Sequence, residues 1–346
     1  MVISGMAISV TTQPTPSGWM LSSAIGDISA DSTAESVAVR LSIAGHTFFS
    51  ATIAVYGGVA TLYDATSVIE DYMRRESLSM AAVTAFFGDE STSLYVQYCS
   101  VLLPATFDPA DTFLSLAGVT RTHRGSHIAL SVLPRTDRTV SLKGVSHDAS
   151  GIPSVSEAEL AKTFPVGGGT LYLPVDGLVS ALGGADYLAV SCGGLRRMVF
   201  IDRHPFFLLF KFRNVFNVPE LLDVACTVET ETEAGGSTAV CGGILSRYDI
   251  TVTRSFTVKT SPLTTAQAEA LSQMVASHSV QLCAGDDDFD VVITDSECKD
   301  TTDDSSPVTY SFTFRFASGR VRILDTAGLM PSRKRVFDSN YAMEFA

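Results

Sequence analysis

Residues Arg203 to Glu220 read RHPFFLLFKFRNVFNVPE, and the alternation within this stretch decides the fold. Side chains of a strand point alternately to opposite faces, so Phe206, Leu208, Phe210 and Phe212 share one wholly apolar face. Phe207, Leu209, Lys211 and Arg213 share the other, which begins apolar and turns basic. That is the pattern of a strand leaving a protein interior and ending at a rim or a subunit contact. Asn214 and Asn217 then supply turn chemistry, and Pro219 lacks the amide that would continue a ladder.

The same period recurs along the chain. Val37, Val39, Leu41 and Ile43 alternate with other residues before Ala44-Gly45-His46 turns the chain into a second apolar run. Tyr248, Ile250, Val252, Phe256 and Val258 mark one face of a long strand, opposite Asp249, Thr251, Thr253, Ser255, Thr257 and Lys259. Val308, Tyr310, Phe312, Phe314 and Phe316 repeat the pattern, and both segments read as half-buried antiparallel strands. Arg254 falls in the apolar register, so either the strand leaves the core there or the arginine meets a carboxylate. Helices are few. Ser67-Val-Ile-Glu70 and Thr264-Thr-Ala-Gln267 have capping-box spacing, and Ala268, Leu271, Met274, Val275 and His278 line one face after the second.

The fold class that follows is mainly β: a β-rich α+β chain of tandem antiparallel β-sandwich-like domains with a few short helices. A length of 346 residues calls for more than one core. Boundaries near Gly118 and Arg203 give a β-rich domain over 1–118 and a second over 119–202. A C-terminal β domain with one packed helix follows over 203–330, and an extended tail over 331–346.

The turn after the apolar strand resembles a known pattern. NVFNVPE, Asn214 to Glu220, is similar to an Asn-x-Phe-Gly-x-Pro-Glu motif of uncharacterised proteins from the tail gene clusters of phages and prophages of gut bacteria. Asn217 stands where that family commonly has Gly, and Asn is the non-glycine residue best able to take positive φ. The order TVKTSPLTTAQAEALSQMVASHSVQL, VVITDSEC and VTYSFTFRF resembles the family's C-terminal module, a tail-tube-like sheet plus helix. LYDATSVIEDYMR, YCSVLLPATF and RTHRGSHIALSVLP resemble further landmarks. The resemblance implies a virion structural protein of the tail tip or baseplate. Its copies would assemble in the cytoplasm of the bacterial host into a homo-oligomeric ring, a hexamer or trimer, touching other tail proteins.

Composition agrees with an architectural role. A net charge of −13, with no offsetting basic stripe, argues against nucleic acid as a partner. The FFLLF run is too short to span a bilayer, and the first residues lack the charged start and apolar core of a signal peptide, so no membrane span is expected. Hydrophobic residues make up 46% and charged residues 18%, which leaves little polar surface for a lone monomer and points to self-association. The 6 cysteines contain no C-x-x-C pair, so reduced thiols are expected and zinc is not.

Candidate chemistry has bland readings. His123 and His127, with Gly125 between them, read as a surface loop, and His278 as a packed helical residue. Gly167-Gly-Gly169 reads as a turn because neither a helix nor Lys-Ser/Thr follows it directly. Ser191-Cys-Gly-Gly194 lacks the nucleophile elbow. The acids Asp286, Asp287, Asp288, Asp290, Asp295, Glu297, Asp300, Asp303 and Asp304 read as a solvated loop, with Ca²⁺ or a basic neighbour as alternatives. No catalytic residue, metal or cofactor is assigned, and the chain is not expected to be an enzyme. Lys211, Arg213, Phe216 and Pro219 are expected near a contact between subunits, together with the basic Arg333, Lys334 and Arg335 of the tail. The alternative is a host-surface or glycan-binding module of the tail, with Trp19 as its candidate aromatic.

Overall fold

The structure is a computed structural model that describes residues 8–10, 14–104, 106–133, 136–148, 150–165, 168–203, 206–284, 287–299 and 308–317. The expected tail and its Arg333, Lys334 and Arg335 lie outside the described residues, as do Gly167, Asp286, Asp300, Asp303 and Asp304. The chain is mainly β, as the alternation predicts.

The first part of the chain contains β1 (Ile8–Val10), β2 (Met20–Leu21), β3 (Ile28–Asp31), β4 (Ser36–Ile43), β5 (His46–Tyr56), β6 (Val59–Leu62), α1 (Ala65–Arg75), β7 (Met80–Phe87) and β8 (Glu90–Gln97). They form one sheet in the order β1-β3-β6-β5-β4-β7-β8-β2. Strand β5 pairs with β4 along most of its length and with β6 only at its end. The two halves of the sheet bury one core, with Ile28 and Ala60 from one half, Val39 and Phe87 from the other, and Ile69 and Met73 from α1. Helix α1 starts earlier than the Ser67 capping box predicts. Its N-cap is Asp64, held at φ 51° and accepting from the Ser67 amide. Glu70 is drawn away from any capping role because its carboxylate accepts from Ser22 Oγ at 2.8 Å.

The middle part contains β9 (Val119–His123), β10 (His127–Val132), β11 (Arg138–His147), β12 (Pro153–Phe164), β13 (Gly169–Pro174), α2 (Val175–Ala181), β14 (Tyr187–Cys192) and β15 (Leu195–Asp202). A five-stranded sheet, β12-β11-β14-β15-β9, and the β10-β13 pair share a core that includes Ile128, Leu142, Leu173, Leu178 and Val199. Among the described residues, pairing is antiparallel except between β9 and β15 and between β2 and β8. Gly168 has φ 80°, and a Cβ there would meet the Val132 carbonyl oxygen at 2.2 Å. Gly168 thus sits at a close backbone approach to Val132, just before β13, with helix α2 a full strand later.

The last part contains β16 (Phe207–Arg213), β17 (Pro219–Cys241), β18 (Ile244–Thr260), α3 (Thr265–Ala276), β19 (Val280–Ala284), β20 (Asp287–Lys299) and β21 (Thr309–Phe316). The expected sheet closes on itself as a barrel, β16-β17-β18-β21-β20-β19, through pairing of β16 with β19. Closure removes the edges an open sheet would leave. Phe210, Phe256, Phe312 and Phe314 fill its core with Leu271 and Met274 of α3, each aromatic ring contributing about 1.5–3 kcal/mol by leaving water. The Thr264–Gln267 capping box forms. The helix ends at Ala276, so His278 lies beyond it and is exposed, a correction to its place on the packed face. The acidic stretch from Asp287 is strand β20, where a solvated loop was expected. Among the described residues no helix is long and apolar enough to cross a membrane.

Candidate assembly surface

Residues 206–220 do two jobs. Strand β16 fills the barrel with Leu208, Phe210 and Phe212, while its other face carries Lys211 to Asp288 of the same chain at 2.7 Å and over the Tyr172 ring at 6.0 Å. The hydrogen bond to Asp288 holds the Lys211 ammonium above its usual range. Burial pushes the Asp288 carboxyl up, but the hydrogen bonds from Lys211 and Cys283 outweigh it and leave Asp288 below the usual aspartate range. Arg213 donates to the Asn217 carbonyl at 3.0 Å.

The turn that follows joins distant parts of the chain. Asn214 Oδ1 accepts from the Phe216 amide, and its Nδ2 donates to the Leu114 carbonyl and to Glu220. Asn217 takes φ 55° and donates to the carbonyls of Met73 and Leu78, at the end of α1. Phe216, expected near a subunit contact, is fully buried within the chain and stacks on Phe107 at 5.7 Å. Its ring belongs to a fourth core with Leu21, Cys99, Leu114, Leu133 and Val218. Pro219 opens β17 opposite Arg213 and is partly exposed.

Two buried carboxylates that the sequence analysis did not single out tie the middle part to the barrel. Glu220 accepts from Ser115 and Asn214 and lies 3.9 Å from Arg197, with side chains 11% and 5% exposed. Burial pulls the Arg197 guanidinium down, and Glu220 opposes that shift. Asp223 accepts from Thr122 Oγ1, Ser126 Oγ and the His123 amide, and meets His123 Nδ1 at 3.1 Å. The His123 ring stacks on Phe207 at 4.4 Å. This histidine therefore anchors β9 to β16 and β17, and His127, at the start of the next strand, is exposed. A signal for Arg197 was present: in LRRMVF it shares the period of Leu195 and Val199, on the inward face.

Beyond the barrel, β17 and β18 continue as an arm. From Glu229 to Val252 every residue is exposed. The expected long strand is therefore half-buried only over its second part, through Phe256 and Val258, and it leaves the core near Arg254. Val252 pairs with Ala234, and Leu245 with Val240. Cross-strand partners share a face, and by alternation across the bulge between Gly235 and Ser237 these pairs lie on the side that Phe256 turns into the core. Val252, Ile250, Leu245 and Val240 on this side are 46%, 58%, 69% and 68% exposed. The opposite side carries Glu229, Glu231 and Glu233 against Thr257, Ser255 and Thr253 near the barrel and, beyond the bulge, Tyr248 opposite Ser237 and Ile244 opposite Cys241, so Tyr248 leaves the face that its period shares with Ile250 and Val252. The arm is thus a ribbon with its glutamates on one side only, and no described residue covers the other, mostly apolar side.

No protein-family model matches the chain, and no curated protein does. Among solved structures, it is similar to a chain from the virion of the native gene transfer agent particle, with 13% identity and a TM-score of 0.23, and to a chain from the tail of the empty particle with C6 symmetry, with 12% and 0.24. Each likeness covers 32% of this chain and 91% of the other. A likeness of that extent carries no argument about this chain.

Other candidate chemistry is spent structurally. Cys99, Cys192, Cys226, Cys241 and Cys283 are free thiols, and burial pushes Cys226 and Cys283 up to about 12, away from reactive thiolates. Among the described residues, no group of three or more His, Cys, Asp or Glu side chains is placed to hold a metal. Trp19 packs partly buried against the fourth core and meets Tyr95 edge-on at 5.9 Å.

Proposed function

We propose that the chain is a structural subunit of a tailed-phage virion, in the tail or baseplate, that acts by symmetric self-association and by contacts with other tail proteins. The observation that carries self-association is the arm. A ribbon with glutamates on one side only gains by covering its other, apolar side, and no described residue of its own chain does so. The tail assignment rests on the resemblance of the NVFNVPE turn and of the strand–helix–strand order that follows it. No residue has a catalytic role in this reading; the buried polar groups hold parts of the subunit to one another. Light scattering on the purified protein, with negative-stain imaging of the same peak, tests it. A ring, hexameric or trimeric, is the expected outcome, and a monomer that persists at high concentration overturns it.

A second reading, recognition of a host-surface glycan, is favoured by one observation: Tyr95 is 57% exposed beside Trp19 and offers a ring face of the kind that sugars stack on. Reproducible binding on a glycan array that disappears in both Tyr95→Ala and Trp19→Ala would move this reading ahead.

A further inference from the structure

We propose that the arm of one copy lies across the outer face of the five-stranded sheet of the next copy, a head-to-tail contact; this rests on the self-association reading above. The inner face of that sheet is spent on its core through Leu142, Leu188, Val190 and Val199. Its outer face is built by register. One row across all five strands runs Val155, Val145, Tyr187, Phe200 and Arg121. Val155 is 60% exposed and Phe200 40%, and the Tyr187 and Phe200 rings stack at 5.8 Å. An apolar and aromatic ladder thus faces solvent. Beside it, where the register of β11 and β12 shifts, a groove of about 340 Å³ is lined by Ser141, Lys143, Glu157, Glu159 and Ser191.

Charge selects the occupant. Copies with a net charge of −13 repel one another, so they approach closely where carboxylates are sparse or balanced. The apolar side of the arm meets that condition, because the glutamates are on its other side and Arg247, paired with Thr238 in the apolar row, balances Asp249 at the bulge. The sheet face meets it too, because Lys143 holds Glu157 at 2.7 Å and Arg121 stands 3.7 Å from Asp202. Glu159, in the groove, supplies the charge opposite to Arg247. Dimensions agree: about ten residues of arm at ~3.4 Å each span ~34 Å, and five strands at ~4.8 Å spacing are roughly 20–25 Å wide. A donor surface and a different acceptor surface on one chain make a heterologous contact, which propagates into a ring or a filament.

A mixing experiment tests this. Arm copies carry Val252→Asp with Leu245→Asp; face copies carry Phe200→Asp with Val155→Asp, or the milder Phe200→Ser should the paired charges lower the melting temperature. These side chains are all exposed in the subunit. Each variant alone is expected to be monomeric by light scattering, and an equimolar mixture to give a species of twice the monomer mass, because one intact arm then meets one intact face. Face variants that assemble like the unsubstituted protein, or a mixture that stays monomeric, overturn the arm-to-sheet contact; in the first case self-association through the arm still stands. An unsubstituted protein that is itself monomeric at high concentration overturns both.

Discussion

Asn217 concentrates the residue-scale lesson. The sequence marks it as a turn residue able to take positive φ, and it takes φ 55°, but its amide also reaches the carbonyls of Met73 and Leu78. Local chemistry made the turn legible; the partners lie far along the chain and could not be read. Asn217→Gly keeps the backbone conformation and loses those two bonds, whereas Asn217→Ala also pays for left-handed geometry. Both should lower the melting temperature, with Ala about 1 kcal/mol worse than Gly in a denaturant titration. Glu220→Gln leaves Arg197 buried without its countercharge, and a loss of about 3–5 kcal/mol is expected. Joining it with Arg197→Met should recover much of that loss; a double variant no better than the single one would show that the pair is not coupled.

At the scale of elements, alternation located the barrel strands but misjudged how far they stay inside. Ile250 and Val252 continue the period of Phe256 and Val258, the bulge turns Tyr248 to the other side, and period alone does not say whether anything lies opposite. The barrel has a fixed girth, so a strand pair longer than its wall must project. Replacing 232–253 by a two-residue turn is expected to leave the thermal unfolding of the barrel unchanged while assembly, read as solution mass, is lost. A collapse of the barrel signal would instead make the arm part of the fold. Helix ends were legible only where one cap dominates. Thr264 has its capping box, so Thr264→Ala should cost about 1 kcal/mol in a chemical melt. Ser67 was outcompeted by Asp64, three residues earlier, because Ser22 engages Glu70.

For the whole molecule, the shifted groups set a pH dependence of stability. Asp288 sits below the usual aspartate value of 3.8, so its contribution is present above that value and lost as pH falls through it and lower. Glu70 sits above the usual 4.5 because burial disfavours its charge, so its ionisation removes stability as pH rises from 4.5 through its raised value. Asp288→Asn should weaken the acid-side fall, and Glu70→Gln should flatten the loss on the way to neutral pH; urea midpoints measured across pH check both signs. By itself the sequence determined a mainly β chain, the alternation of its strands, the Asn-rich turn and the α3 cap, because each depends on neighbours within a few residues. Only the tertiary structure decided that the last sheet closes into a barrel, that Phe216 joins distant parts of one chain, and that Asp288 meets Lys211 within the subunit. It also decided that Val252 and Leu245 stand in solvent. Closure, junctions and projection depend on which surfaces meet across long separations, and the alternation of a strand reports only which way its own side chains point.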